Sequence, residues 1–298
     1  MAAWHRAEIN SAPTKMRFPL KIFLLVLALS VTLTAPRPAE LKRQSARDAT
    51  VRDKIPLERR DSRERKDGAI SEPGQEMNVD ERKEKDPEDE VEARFTPAEI
   101  AVTDLDAAAW EMAHPVAIKR YWSGEDAPTG RQAEARLLWS EKALYVRFVY
   151  RQTEPPVTSA RPQTKRKTIG LWDRDVCELF ITPNVREPER YFEFEAAPTG
   201  EWLDLRIHYK PDERETDWKF HSGMTAAARV QPEKVTIAMR VPWKALGRRP
   251  LANERWRGNL FRVCGSGDTR GYVTWRPTRT PEPNFHLPAA FGWIRFKG

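Results

Sequence analysis

The sequence predicts an all-β fold over residues 96–298, an antiparallel β-sandwich with layers of the jelly-roll or immunoglobulin type. Three observations lead to this prediction. Short runs with strand-like alternation recur after residue 96, no long segment has the 3.6-residue period of a helix, and 10 of the 11 tryptophans lie in 96–298. Many short strands separated by turn residues are typical of two packed sheets. A signal segment and a disordered charged linker are predicted to precede this domain.

Residues 22–35 form an uncharged apolar run just after two basic residues. A membrane-spanning helix needs about 20 apolar residues, so this shorter run is typical of a signal-peptide core. Residues 1–35 are therefore predicted to be a signal peptide or an uncleaved membrane tether. Either form would export the protein to the periplasm, the cell envelope or the exterior. Met16 stands before the basic residues, so residues 1–15 could be a mis-assigned start.

Residues 36–95 carry 15 Lys and Arg and 17 Asp and Glu, with one phenylalanine and no tryptophan or tyrosine. Such a segment cannot bury enough apolar surface to offset its chain entropy, so it is predicted to be a disordered linker. Acidic residues are interleaved with the basic ones throughout. The net charge of +7 therefore does not indicate a nucleic-acid partner.

Ten strands and two single helical turns are predicted in the domain. The second strand alternates four apolar residues against Arg147, and the fifth places its leucines and isoleucine on one face. The helical turns are expected at Ala107–Met112 and Pro242–Leu246. The predicted strands are Arg136–Trp139, Ala143–Tyr150, Asp175–Thr182, Tyr191–Ala196, Glu201–His208, Met224–Val230, Val235–Val241, Gly258–Cys264, Gly271–Trp275 and Gly292–Phe296.

The sequence lacks the usual signatures of catalysis. The five histidines form no HxxxH or HxH pair, and there is no CxxC, no G-x-S-x-G elbow and no glycine-rich phosphate loop. The many carboxylates are ordinary for the turns and solvated strand faces of a β-protein. Calcium would find oxygen ligands in an exported sandwich, but no EF-hand spacing is present and no ligands are assigned.

The two cysteines, Cys177 and Cys264, both lie on predicted strands. They fit as small buried apolar residues. Export would also permit a disulfide between them, which requires Cα atoms within about 7 Å. Both interpretations remain open from the sequence.

Two aromatic residues stand in loops beside predicted strands. Trp172 lies in GLWDRD, just before the third strand, and Phe285 lies in a proline-bounded loop before the last strand. Aromatic rings on adjacent loops could hold the apolar face of a sugar ring while polar groups bond its hydroxyls. Packing within the core or the loops is the alternative, and spacing alone does not decide between them.

The run LWDRDVCELFITPN (171–184) resembles the W-x-x-D-x-V-E-[IVL]-F-[IL] signature of the family 9 carbohydrate-binding modules. Three further segments fit the same pattern in order: ALYVRF (143–148), VTIAMRVPWKALG (235–247) and VTWRPTRTPEPNFHLPAAFGWIRF (273–296). The resemblance covers 96–298. It implies a non-catalytic β-sandwich that grips a glucan or xylan chain end between two aromatic rings.

Residue by residue, the resemblance assigns the first aromatic ring to Trp172 and places Phe285 where a second tryptophan belongs. Glu178 matches a sugar-bonding glutamate, whereas Glu195 stands where a basic residue is expected. Arg270, Arg276, Asn284 and His286 are candidates for the missing donor. The predicted carbohydrate-binding residues are Trp172, Glu178, Arg270, Asn284 and Phe285.

Two other functions compete with carbohydrate binding. Related exported sandwiches hold b-type haem by Met and His, and a structural envelope protein could keep the fold without a ligand. An enzymatic role is not expected because the rest of the chain is signal and linker. The possible haem ligands are Met112, His114, His221, Met224 and Met239.

Overall fold

The fold is described from a computed structural model, for residues 89–210 and 213–298. Its regular elements are strands and short 3-10 turns, so the all-β prediction is confirmed for the described residues. The predicted signal segment and positions 36–88 of the predicted linker lie outside this part of the chain. The strands are β1 (Glu90–Phe95), β2 (Val116–Ile118), β3 (Arg120–Tyr121), β4 (Ala133–Trp139), β5 (Ala143–Tyr150), β6 (Val176–Thr182), β7 (Arg190–Ala196), β8 (Trp202–Tyr209), β9 (Arg214–Asp217), β10 (Thr225–Gln231), β11 (Lys234–Pro242), β12 (Arg255–Cys264), β13 (Gly271–Thr274) and β14 (Gly292–Lys297).

All ten predicted strands are present, with small shifts at their ends. The strands that sequence reasoning missed are β1, β2, β3 and β9. Two of them, β2 and β3, are too short to show an alternation. Strand β9 has the sequence RETD and no apolar residue, and it pairs with β8 at the edge of the sheet.

Strand β1 corrects the boundary predicted at residue 96. It lies within the predicted charged linker, yet Val91 and Ala93 point into the core at 8% and 0% exposure. Alternation of these small apolar residues with glutamates is the pattern of a half-buried strand. Because β1 spans only six residues within a highly charged segment, the composition of that segment did not indicate a strand.

The strands form one curled sheet in the order β10-β11-β5-β4-β1-β14-β12-β6-β7-β8-β9, with β13 paired to β12 and β3, and β2 paired to β4. The sheet is mixed rather than fully antiparallel. Strand β1 runs parallel to both of its neighbours, β14 and β4, and every other pair is antiparallel. The predicted β-sandwich is therefore present, with antiparallel pairing everywhere except at β1, which joins the two halves of the sheet.

The main core lies between the two halves of the curled sheet, as a β-sandwich requires. Phe148 and Met239 enter it from β5 and β11, and Leu179 and Phe194 enter it from β6 and β7. Strand β11 contacts β7 across this core. Fully burying a side chain of this size contributes roughly 1.5–3 kcal/mol, so this cluster dominates the stability of the fold.

Two smaller apolar clusters cover the outer faces of the sheet. Trp110 packs with Leu138 and Tyr145 outside the first half. The second cluster, which we call the outer cluster, lies outside β6, β7, β8 and β12 and includes Phe180, Tyr191, Leu203, Leu205, Ile207, Phe261, Phe285 and Phe291. The apolar face predicted for the fifth strand belongs to this outer cluster rather than to the main core.

Within residues 90–210 and 213–298, six 3-10 turns lie between the strands. The first and fourth of them coincide with the two helical turns that the sequence predicts. The turns are Ala108–Met112, Thr129–Arg131, Leu171–Asp173, Trp243–Leu246, Gly267–Thr269 and Pro288–Ala290.

Cys177 and Cys264 are both buried, and both thiols are free. Each packs in the main core, as the sequence predicted for small apolar residues. Burial raises the pKa of both thiols. The protonated thiol is therefore favoured at neutral pH, which makes these cysteines poor nucleophiles.

Candidate functional site

The candidate site lies on the outer face of β6, β7 and β12. Glu178 of β6 stands directly opposite Glu195 of β7 and, on its other side, opposite Phe261 of β12. Glu193 lies two residues before Glu195, so alternation places its side chain on the same face. The strand register thus brings three carboxyl groups together beside the aromatic side chains of the outer cluster.

The carboxyls of Glu178, Glu193 and Glu195 form a compact, buried group. Their nearest oxygens all lie within 4.8 Å of one another. The three residues are 3%, 3% and 0% exposed, respectively. Burying three like charges this close together is costly unless protons or a cation neutralise them.

Burial raises the pKa of all three glutamates above the ordinary value, and repulsion by neighbouring carboxyls raises it further for Glu178 and Glu195. No amide, hydroxyl or basic side chain among the described residues donates to either carboxyl oxygen of Glu195. Its carboxyl contacts that of Glu193 instead. Buried carboxyls this close together favour protonation of at least one of them, so the close approach of the three groups agrees with the raised pKa values.

His286 does not neutralise this group. Its Nε2 is 3.9 Å from Oε2 of Glu193, beyond hydrogen-bond distance. Its Nδ1 shares a hydrogen bond of 2.7 Å with the Tyr191 hydroxyl. Burial, together with the positive charge of Arg214, holds the pKa of His286 well below its usual value, so the imidazole is neutral at pH 7.

Among the described residues, Glu178, Glu193 and Glu195 are also the group of three with ligand atoms close enough to share a metal ion. Carboxylate oxygens are the donors that Ca²⁺ takes, whereas soft metals prefer sulfur or imidazole. The group could therefore hold either shared protons or a hard cation. The sequence assigned no metal ligands, because the three glutamates converge only through strand pairing.

Trp172 stands on the turn Leu171–Asp173, just before β6. Gly170 begins this turn with φ +80°, a left-handed conformation that favours glycine. Arg270 holds the turn in place through the main chain. Its guanidinium donates to the carbonyl oxygens of Trp172, Asp173 (3.0 Å) and Gly265 (3.1 Å). Its Nη1 and Nη2 groups thus bond the main chain, and its charge opposes the rise in the pKa of Glu178.

The ring of Trp172 pairs with that of Trp218, with centroids 6.0 Å apart and an angle of 45° between the planes. Trp218 follows β9 and is 46% exposed, which is high for a tryptophan. Sequence reasoning missed it, although a tryptophan in the polar run ETDWKF was the available signal. The half-buried Trp172 and the exposed Trp218 thus form an aromatic pair at the surface of the described domain.

Phe285 packs against the same outer cluster as Trp172, but most of its ring is covered. It is 8% exposed. One face stacks on Phe261 at 4.0 Å and 12°, and its edge meets Tyr272 at 5.9 Å. The loop that carries Phe285 therefore lies directly over the strand face that holds the carboxyl group.

The other proposed donors lie in different places. Asn284 accepts a hydrogen bond of 2.9 Å from the backbone amide of His286, which shapes the loop. Arg276 forms an ion pair with Asp89, at the start of the described chain. Asn284 and His286 thus stand together over the outer cluster, whereas the Arg276 guanidinium pairs with the N-terminal end of the fold.

One buried ion pair connects the surroundings of Trp172 and Trp218. Lys167 Nζ lies 2.9 Å from Oδ1 of Asp204, and the two side chains are 9% and 0% exposed. Lys167 also donates to the Phe220 carbonyl, and Oδ2 of Asp204 accepts from the Ser222 amide at 2.6 Å. Through this ion pair and these hydrogen bonds, the loop before β6 and the segment after β9 are both attached to β8.

The possible haem ligands are spread over the fold. Met224 and Met239 are buried in the main core, whereas Met112 is 46% exposed and His221 is exposed. Within the described part of the chain, no helix has the length and apolar character needed to cross a membrane.

Comparison with known proteins places this geometry in context. A family model described as "Carbohydrate family 9 binding domain-like" matches residues 103–298. A search of curated proteins finds no match.

Solved structures share the fold at low sequence identity. A candidate carbohydrate-binding protein from Bacteroides uniformis ATCC 8492 is 15% identical, with a TM-score of 0.55 over 70% of this chain and 99% of the other. A family 9 carbohydrate-binding module from Caldicellulosiruptor kristjanssonii in complex with cellotriose is 15% identical, with a TM-score of 0.50 over 70% and 94%. At this identity the likeness shows the fold alone.

The Lys167–Asp204 pair leads to the first testable prediction. Asp204→Asn leaves Lys167 buried without a carboxylate, so we expect a loss of about 3–5 kcal/mol in the free energy of unfolding. Chemical denaturation monitored by tryptophan fluorescence measures it. Asp106→Asn is the matched control, because it breaks the exposed Arg229–Asp106 pair and should change stability little. Equal effects of the two substitutions would contradict the role of the buried pair.

The carboxyl group leads to a prediction about pH. A glutamate with a raised pKa in the folded state stabilises the fold fully below the ordinary value of 4.5, and this contribution is lost as pH rises through the raised pKa. Glu195→Gln removes one titrating group. We therefore expect the Tm of this variant to fall less between pH 4.5 and pH 8 than that of the parent.

Thermal unfolding at a series of pH values, in the presence of a chelator, provides the measurement. The exposed Glu125→Gln variant serves as the control and should follow the parent curve. If Glu195→Gln also follows the parent curve, the carboxyl group is not the source of the pH dependence.

Proposed function

Because this chain belongs to the carbohydrate family 9 binding domain-like family, we propose that it binds a carbohydrate without cleaving it, at the outer face that carries Trp172. The observation behind this proposal is the pairing of the half-buried Trp172 with the exposed Trp218 at the protein surface. The ligands expected are glucan-type or xylan-type oligosaccharides and chain ends. The family 9 module from Caldicellulosiruptor kristjanssonii, which was solved with cellotriose, supports this ligand class.

The aromatic pair supplies the apolar part of recognition. The axial C–H groups of a pyranose ring form an apolar face that packs on an indole ring. The Arg270 guanidinium donates to the backbone carbonyl of Trp172, so the position of this residue is set before a ligand binds. Trp218 is tilted by 45° relative to Trp172, and the two indoles together offer two differently oriented apolar surfaces.

Polar groups of the loop 284–286 supply the hydroxyl contacts in this proposal. The side-chain oxygen of Asn284 accepts a hydrogen bond from the backbone amide of His286. The side-chain NH2 group of Asn284 therefore points away from that bond. The neutral His286 ring offers Nε2 on the side of Glu193. The side chains of Glu178 and Glu195 are more deeply buried, at 3% and 0% exposure, so sugar hydroxyls reach them only if the covering side chains move. Phe285 supports this loop from the outer cluster.

We call the Trp172–Trp218 pair the aromatic platform, and truncation of its side chains tests the proposal. Trp172→Ala removes the main stacking surface, so we expect its affinity for cellobiose or xylobiose to fall by at least about tenfold. Trp218→Ala should weaken binding by a smaller factor. Tryptophan fluorescence and calorimetric titration of the full chain with glucose, cellobiose, xylobiose and the reduced alditols measure both. A response that the alditols fail to produce would identify a reducing-end binder.

Trp293→Ala is the matched control, since Trp293 is a partly exposed tryptophan of β14 that stacks with Arg255 and Arg257. It should leave sugar binding unchanged. If Trp172→Ala binds every sugar as well as the parent does, the platform is not at this position.

We further propose that the protein is exported by its N-terminal segment, either cleaved or retained as a tether. The residues concerned lie outside the described structure, so the argument rests on the apolar run 22–35. Leu25→Arg with Leu27→Arg should keep the protein in the bacterial cytoplasm, whereas Leu41→Arg in the linker should not. Cell fractionation with N-terminal sequencing measures the location and any cleavage. Export of the double variant would contradict the proposal.

A further inference from the structure

A cleft opens next to the Trp172 turn. It has a volume of about 450 Å³, within the range of small-molecule sites, and is formed by the loop between β5 and β6 and the start of β8. Ile169 and Arg174 both line it. These residues stand on either side of Trp172 in the chain, so the cleft borders the aromatic platform.

The lining of this cleft is strongly basic. Four of its side chains are cationic, and Glu201 is its carboxylate. Two of the cations already have partners. Lys167 pairs with Asp204, and Arg174 lies 3.5 Å from Glu201. These two ion pairs therefore fix the positions of Lys167 and Arg174 and partly neutralise the positive charge of the cleft.

The other two cations, Arg161 and Arg166, are exposed and have no carboxylate partner among residues 89–210 and 213–298. Guanidinium groups bind carboxylates and sulfates through paired hydrogen bonds, which makes them suitable for recognising an anionic group on a ligand. Ser159, Gln163 and Thr168 line the same cleft and are of the size and type that bond hydroxyls.

The loop that carries these arginines is anchored rather than free. The Thr168 amide donates to the Trp202 carbonyl at 2.9 Å, and the Trp202 indole donates to the Thr164 carbonyl at 3.1 Å. The Gln163 amide donates to the buried Glu201 at 3.2 Å. These bonds hold the cleft open beside Trp172 and keep its position relative to the platform constant.

We propose that this cleft binds an anionic sugar residue, carrying a carboxylate or a sulfate, next to a residue of the same glycan that packs on Trp172. The assignment rests on the proposed carbohydrate function and narrows the ligand to acidic glycans. Arg161 and Arg166 contact the anionic group, and the polar lining contacts the hydroxyls of that sugar. The neighbouring sugar lies on the indole of Trp172.

The test compares ligands that differ only in charge. A β-1,4-glucuronan tetramer is cellotetraose with C6 oxidised to carboxylate, and a sulfated cellotetraose carries the other anion. Calorimetric titration of the full chain should show the better acidic ligand bound at least about tenfold more tightly than cellotetraose at low salt, with the preference reduced at high salt. Which acidic ligand binds better identifies the anion.

The double variant Arg161→Gln/Arg166→Gln should abolish this preference and leave binding of cellotetraose unchanged. Arg151→Gln/Arg186→Gln removes the same net charge at exposed positions outside the cleft and is the control. An equal loss of preference in both double variants would overturn the site, since the effect would then be a general attraction of the protein surface. Trp172→Ala should weaken the binding of cellotetraose and of the glucuronan tetramer. Unchanged glucuronan binding in that variant would overturn the proposal that a single glycan contacts both the cleft and Trp172.

The outcomes separate this inference from the proposed function. If cellotetraose binds through Trp172 and the acidic tetramers bind no better, only the acidic cleft is refuted. If no tetramer binds, the proposed function fails together with it. Tighter binding of inorganic tripolyphosphate than of either acidic tetramer would overturn the assignment to a sugar.

Discussion

The buried ion pair between Lys167 and Asp204 is the contact on which the functional end of this sheet depends. It joins the loop before β6, strand β8 and the segment after β9, three pieces with no other common anchor of this kind among the described residues. A fully buried carboxylate is tolerated only with a counter-charge and hydrogen bonds, and Asp204 has both. Through this one contact the fold places Trp218 near Trp172 and holds the basic loop beside them.

The two clusters of charge on this side of the sheet have opposite signs and different physical situations. Glu178, Glu193 and Glu195 are buried, and desolvation favours their neutral forms. Arg161 and Arg166 are exposed, so their guanidinium groups are accessible to a ligand. The acidic group is thus a buried polar element that favours protonation, whereas the basic side chains lie at the surface, where the proposed function would use them to contact an anionic ligand.

The arrangement of strands explains how the fold sustains such a site. Strand β1 lies at the centre of the path and joins the halves of the sheet through parallel pairing with β14 and β4. Both halves close around the main core, which leaves the outer face of β6, β7 and β12 available for aromatic and acidic side chains. A loop that includes Phe285 covers this face. The main core and the proposed binding site therefore lie on opposite faces of the same strands.

The sequence by itself determined the all-β class, ten of the described strands and the position of Trp172 before β6, because alternation and turn residues are local signals. It could not reveal β1 within a charged run, or β9, which has no apolar residue to show an alternation. It also could not show that Trp218 approaches Trp172, that Phe285 is covered by Phe261, or that three glutamates converge. Those contacts join residues that are distant in sequence, and only strand register and loop packing in the tertiary structure decide them.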